Sequence, residues 1–216
     1  MSKKLLLSIV LTLGLAIYVS PRLTNAQSLS QQSSSKLSLA DQELLQFMLE
    51  EEKLAHDVYT SLYQEWNYPV FSRIAQSETH HIAAIQNLMS RYGVEDPTIS
   101  LSDGEFKNSD LQELYNAFME QGSQSLADAL AVGASIEEID IADLRSYSAE
   151  TQNVTIQRVL NQLEAGSSNH LRAFSQNYFQ ETGISYQPQT LTQADYNAIV
   201  EAKAGNGRNG GRGHNR

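Results

Sequence analysis

No cysteine occurs anywhere in the 216 residues. Its absence excludes disulfides, thiolate zinc sites, iron–sulfur clusters and cysteine nucleophiles. It leaves the compartment open, because a cysteine-free chain is indifferent to redox conditions. Proline is scarce too, with four residues, and tryptophan occurs once. So few helix-breaking residues in a chain that is 41% hydrophobic fit a globular helical protein. Basic residues are thin where acidic ones are dense. Lys3, Lys4 and Arg22 lie near the start, and Arg208, Arg212 and Arg216 lie in the last nine residues. Between residues 28 and 204, nine basic residues face 25 acidic ones, a net of −16. Such a body repels nucleic acid and anionic lipid and attracts cations, so metal ions are expected partners and nucleic acid is not. Missing as well are a glycine-rich phosphate loop, a nucleophile elbow and a His-Glu-x-x-His zinc motif.

There is one long apolar run, Leu5 to Val19, and it follows Lys3 and Lys4. Thr24-Asn25-Ala26 then places small residues where signal peptidase cleaves, so residues 1–26 read as a signal peptide removed near Ala26. At 15 residues the run is short for a membrane span, which needs about 20; an uncleaved anchor is the alternative. No cysteine follows the run, which excludes a lipoprotein. The expectation is an exported chain, periplasmic or extracellular, with no membrane span after cleavage. Residues 27–37 form a polar, low-complexity linker, and the Gly/Arg-rich residues 204–216 form a tail expected to be disordered.

Residues 38–203 are expected to form one helical domain, which a chain of this length can supply with a core. Apolar stripes predict long helices from about Ser38 to Trp66, Val70 to Tyr92, Leu126 to Tyr147 and Asn153 to Phe179. A short helix, Asp110 to about Gln121 with Ser109 as its cap, is expected in the long connection, and a short segment at 192–203. Four long amphipathic helices pack most naturally as a four-helix bundle.

Polar residues interrupt every stripe. Glu78 and His81, as Glu-x-x-His, sit in the middle of the second helix's apolar face and can reach one metal ion together. His170 lies on the core face of the fourth long helix. Glu137 interrupts the third, with Asp140 one turn on, and Glu51 and Glu52 flank the centre of the first. Burying a lone carboxylate costs several kcal/mol. Acidic or imidazole groups from four helices at similar depth therefore point to a shared cation. Taken singly, each has a plain structural explanation: a core histidine bonded to a carbonyl, a wet helix edge, or a solvated charged run. His56 and His80 lie off the stripes, and His214 is in the tail.

At these residues the chain resembles a family. The segments EEEKLAHDVYTSLYQEW, PVFSRIAQSETHHIAAIQNLMSRYG, VGASIEEIDIADL and GSSNHLRAF occur in that order. Together they resemble an uncharacterised prokaryotic ferritin-like family, domain of unknown function 2202, over roughly residues 38–200. The wider superfamily, with rubrerythrins and bacterioferritins, binds two iron or manganese ions between its helices. The resemblance thus implies an all-α, ferritin-like four-helix bundle with a short extra helix in its crossover. It also implies one or two iron or manganese ions, with ferroxidase or peroxide-reducing chemistry. By position, Glu78 and His81 match the first Glu-x-x-His, His170 the histidine of the second, and Glu137 the third-helix carboxylate. Glu52 matches the first-helix glutamate, because Ala55 and Tyr59 follow at the offsets seen in rubrerythrin-like sequences. Glu51 points slightly closer to the stripe's centre, so both stay candidates. One position departs: Ser167 stands where the superfamily has a bridging glutamate. Glu164, six residues before His170 and about 120° away around the helix, is a poor substitute. Asp140 could supply the missing carboxylate, or the site could hold a single ion. The rival expectation is a non-catalytic envelope binding or stress protein on the same scaffold, with a degenerate metal site. A homodimer is compatible with either.

Overall fold

The computed structural model describes residues 36–202. The expected signal peptide, nearly all of the expected linker, the Gly/Arg-rich tail and His214 lie outside the described residues. Six helices form, with no strand among the described residues: α1 Leu39–Trp66, α2 Pro69–Tyr92, α3 Ser109–Gly122, α4 Leu126–Glu150, α5 Val154–Thr182 and α6 Gln193–Glu201.

Capping chemistry sets the ends. Ser38 Oγ accepts from the Asp41 amide at 3.0 Å and opens α1. Asn67, in the left-handed region at φ 48°, closes it. Pro69 starts α2, one residue before the expected Val70, since its missing N–H is an orphan at a first helical position anyway. The cap of α3 is Asn108, not Ser109: its side chain accepts from the amides of Asp110 and Leu111. Ser125, Asn153 and Thr192 cap α4, α5 and α6. α4 runs one turn past Tyr147 to Glu150, and α5 passes Phe179 to Thr182.

α1 packs along α2, and α4 along α5, each pair joined by a connection too short for anything but an antiparallel hairpin. The hairpins meet through α2 against α5 and α1 against α4. Their common interior is divided. One apolar cluster holds Leu54, Val58 and Leu62 of α1 with Phe71, Leu130 and Phe174. The other holds Leu45, Met48 and Leu49 of α1 with Ile85, Leu144 and Leu160. Between them, on all four long helices, lies a belt of buried polar side chains: Glu51 and Glu52, Glu78 and His81, Glu137 and Asp140, Ser167 and His170. Each helix crosses from one apolar cluster to the other through this belt, which is why each stripe is interrupted once.

Three further buried carboxylates fasten connections to the helices. Glu50 Oε2 accepts from the amides of Lys107 and Asn108 at 2.6 and 3.0 Å, holding the crossover against α1. Asp57 bonds Lys53 and accepts from the Gly104 amide at 2.9 Å. Glu138 accepts from Tyr186 Oη and from the amides of Gln189, Thr190 and Leu191, clamping the segment that leads into α6. No helix among the described residues is long and apolar enough to cross a membrane.

Candidate metal centre

Two groups of potential ligands converge in the belt: Glu52, Glu78 and His81, and Glu78, Glu137 and His170. Within each, the ligand atoms lie within 4.8 Å of one another, and all these residues are buried. Glu78 belongs to both. Its Oε2 is 2.8 Å from His81 Nδ1, and its Oε1 is 2.9 Å from His170 Nδ1. Glu52 Oε2 lies 3.2 Å from His81 Nδ1, and Glu137 Oε2 lies 3.5 Å from His170 Nδ1. The two imidazoles stack, with centroids 5.3 Å apart and planes 26° from parallel.

Only one of these contacts is an aligned hydrogen bond, that between His81 Nδ1 and Glu52 Oε2. Both oxygens of Glu78, Nδ1 of His170 and Oε1 of Glu52 are buried without a hydrogen-bond partner. The contacts of Glu78 with the two imidazoles are ion pairs without hydrogen-bond alignment. Leaving a buried polar atom without an aligned hydrogen bond costs about 1–3 kcal/mol, a cost that the ion pairs of Glu78 with the imidazoles offset only in part. By contrast, Glu50, Asp57 and Glu138, equally buried, are bonded to backbone amides. Burial alone therefore does not mark the site; burial with unmet, convergent lone pairs does.

Neighbours orient the group. Tyr59 Oη donates to Glu137 Oε1 at 2.7 Å, and Nε2 of His170 meets Ser77 Oγ at 2.9 Å, turning Nδ1 inward. Gly166 makes room for His81: a Cβ built there would lie 2.5 Å from the imidazole Nε2. Gly166→Ala is therefore expected to displace His81. Alanine's better helix propensity, worth up to about 1 kcal/mol, favours the fold. If His81 ligates a metal, calorimetric titration should find affinity at least about tenfold weaker in this variant, while the melting temperature without metal should fall even so, because the displaced imidazole loses Glu52 and Glu78. Wild-type affinity would remove His81 from the ligand set.

The electrostatics follow the contacts. Burial pushes Glu52 up to about 7, against the opposing pull of His81. Burial acts on Glu78 the same way, but the imidazoles of His170 and His81 overcome it and hold Glu78 down at about 2. The imidazoles respond in kind. Burial disfavours their charged forms, yet the carboxylates raise His81 to about 11 and His170 to about 10. Glu137 is raised by burial, and Tyr59 well above the usual phenol range by burial and the charge of Glu137.

The remaining sequence candidates stand apart from the two groups. Glu51 belongs to neither group, and its carboxyl is raised by burial and by the charges of Asp140 and Asp143. Asp140 takes a hydrogen bond from Ser167, the residue at the missing-glutamate position, and its Oδ1 is unpartnered. Glu164 accepts from Arg145 Nε at 2.7 Å, away from the belt. His56 is half-buried against Asp57, and His80 is exposed. Sequence reasoning passed over Tyr59, Ser77 and Gly166. Tyr59 had a signal: it lies two turns after Glu52 on the same face. Ser77 and Gly166 carry none, because what matters is a neighbour on another helix.

Residues 41–203 match the family described as "Uncharacterized protein domain (DUF2202)". The chain belongs to that family. An uncharacterized protein of Methanocaldococcus jannaschii is 40% identical over 173 residues, covering 80% of this chain and 93% of that protein. The crystal structure of that hypothetical protein superimposes with a TM-score of 0.76, covering 82% of this chain and 99% of the other. The helical fold is therefore shared with a solved member at substantial identity.

Proposed function

We propose that this member of the family is a ferritin-like metal-binding protein whose two groups around Glu78 hold iron or manganese. The observation that carries the reading is the set of buried, unpartnered atoms of Glu52, Glu78 and His170 converging between four helices. The donor set also fits. Dinuclear carboxylate bundles take a glutamate from each of two helices and a Glu-x-x-His from each of the other two. Here α1 gives Glu52, α4 gives Glu137, α2 gives Glu78 with His81, and α5 gives His170 with Ser167 in place of the second glutamate. Carboxylate and imidazole together suit iron and manganese.

Bound iron or manganese would supply one-electron chemistry with dioxygen or peroxide. The protein's part is to hold Glu78 between the groups, fix His170 through Ser77 and Glu137 through Tyr59, and keep bulk water out of the belt. Imidazoles held protonated by their carboxylates must give up those protons to ligate. Metal uptake at neutral pH is therefore expected to release protons, and affinity to rise with pH up to about 10 to 11, where His170 and His81 deprotonate. Calorimetry in buffers of different ionisation enthalpy counts the protons; uptake without release would contradict ligation by either histidine.

The direct test is thermal. Fe(II), under anaerobic conditions, or Mn(II) should raise the melting temperature, since a cation bound only by the folded state stabilises it by mass action. Indifference to every divalent metal would overturn the reading. Ser167 and its bond to Asp140 favour a second reading, a single-ion or degenerate site in a non-catalytic envelope protein. A stoichiometry of one ion, with no peroxide or dioxygen consumption, would select it.

Export is part of the proposal and rests on Lys3, Lys4, the apolar run and Thr24-Asn25-Ala26. Amino-terminal sequencing of the protein made by its own cells should begin at or near Gln27; an intact Met1 in the cytoplasm would refute it.

A further inference from the structure

The first turns of α1 are flanked by two open cavities that share Glu43 and Phe47. The larger, about 460 Å³, lies between the start of α1 and the end of α4 and is lined by Asp41, Glu43, Phe47, Tyr147 and Glu150 among others. Its two aromatic rings pack edge to face, with centroids 6.2 Å apart and planes 66° from parallel. Both rings are half-buried, so part of each is open to the cavity. The smaller cavity, about 390 Å³, continues the groove toward the crossover and adds Glu95 and Lys107. Lys107 is the one basic residue in either wall.

Hydroxyls satisfy some of these acids, for Asp41 accepts from Ser38 and Thr151, and Glu150 from Ser146. Among the described residues, no lysine, arginine or histidine pairs with Asp41, Glu43, Glu95 or Glu150. Aromatic rings flanked by carboxylates select a cation with a flat face. A guanidinium stacks on the rings and bonds carboxylates in its plane, which an ammonium cannot do together. Residues 205–216 of this chain, GNGRNGGRGHNR, carry that chemistry: three arginines, five glycines and no acidic residue. They also reach. Arg172 Nη1 donates to Ile199 O at 2.9 Å and ties the end of α6 to α5. Arg172 lies about 27 Å along α5 from Val154, which is two residues past Gln152 in the cavity wall. Arg212, ten residues past Ala202, spans up to about 33 Å from it when extended. That length covers the distance with one helix diameter, about 10 Å, to cross.

We infer that the groove between the start of α1 and the end of α4 is a guanidinium site that seats the chain's own Gly/Arg-rich segment 205–216. One arginine stacks on Phe47 and Tyr147 and pairs with Glu43 and Glu150. Tethering favours the chain's own segment over a second copy, because a flexible link supplies an effective concentration of about millimolar. A shallow site of exposed ion pairs, weak by itself, is then occupied. The inference does not rest on the metal-binding reading, and the groove is separated from the polar belt by Leu45, Met48 and Leu144.

The test compares backbone amide NMR shifts of the whole protein with those of the variant Arg208→Gln/Arg212→Gln/Arg216→Gln, whose substitutions lie outside the helical domain. The amides of Phe47, Tyr147 and Thr151 are expected to shift, and those of Glu113 and Glu120 on α3 to stay in place. Salt at about 1 M, where the screening length falls to about 3 Å, should move the wild-type signals toward those of the variant. On a Glu43→Gln/Glu150→Gln background, both positions being exposed, the arginine substitutions should no longer move the groove amides. Groove amides that ignore the arginine substitutions, or the same shifts persisting on the glutamine background, overturn the site. Shifts that fade on tenfold dilution overturn the intramolecular seat in favour of a second copy. Groove amides that move only when residues 27–35 are deleted make the linker the occupant and overturn it as well.

Discussion

Glu78→Ala is expected to abolish the rise in melting temperature that Fe(II) or Mn(II) is expected to give the wild-type protein. Glu78 is the residue the two groups share, with one oxygen toward His81 and the other toward His170. Losing it removes a ligand from both groups, whereas losing Glu52 or Glu137 depletes one. A ligand present at 100 times its dissociation constant stabilises the folded state by about 2.7 kcal/mol, and that whole increment should vanish. The variant should also be less stable without metal, by about 1–3 kcal/mol. Crowding of carboxylates alone would suggest relief of repulsion instead. The structure decides otherwise, because the immediate neighbours of Glu78 are two imidazoles that it holds protonated. Melts of wild type and variant, with and without metal, separate the contributions. A variant that keeps the full metal-induced shift would move the centre away from Glu78.

The second large effect concerns stability alone. Glu138→Ala is expected to cost about 3–5 kcal/mol, because it strips a phenol and three backbone amides of one buried acceptor. Glu138 is wholly buried, and its loss leaves the buried Tyr186 hydroxyl and three amides without their shared acceptor. The segment from Gln189 into α6 should come loose first, so limited proteolysis should cut near residues 183–192 well before global unfolding. Chemical denaturation gives the magnitude. Metal affinity should change far less than in Glu78→Ala, although Glu137 is the next residue, since successive side chains on a helix point about 100° apart. A drop of less than about 1 kcal/mol would mean that the clamp is replaceable.

These neighbours show where sequence reading works and where it stops. Glu137 and Glu138 are both acids in α4, and both are almost completely buried. Glu137 stood out because it interrupts an apolar stripe at the depth of Glu78, His81 and His170. Glu138 did not, because its burial comes from a loop some fifty residues later folding over it. Glu50 and Asp57 escaped notice for the same reason: each is covered by the crossover between α2 and α4. The choice between Glu51 and Glu52 was likewise open in one dimension. They flank the same face, and only the position of α2 brings Glu52 to His81 while Glu51 meets Asp143 from α4.

By itself, the sequence determined the helices, their approximate ends and the level of the polar belt, since apolar periodicity, caps and breakers act within a few residues along the chain. It also determined the family, through four motifs in order. What only the tertiary structure decided is how belt residues pair across helices. Ser167 bonds Asp140 in place of a second glutamate, Gly166 clears space for His81, and the carboxylates divide into those satisfied by backbone amides and those left facing one another. The physical reason is range. Helix formation and capping are settled by neighbours in sequence, whereas the satisfaction of a buried polar atom depends on whichever helix or loop packs over it, and those partners lie up to 110 residues away in the chain.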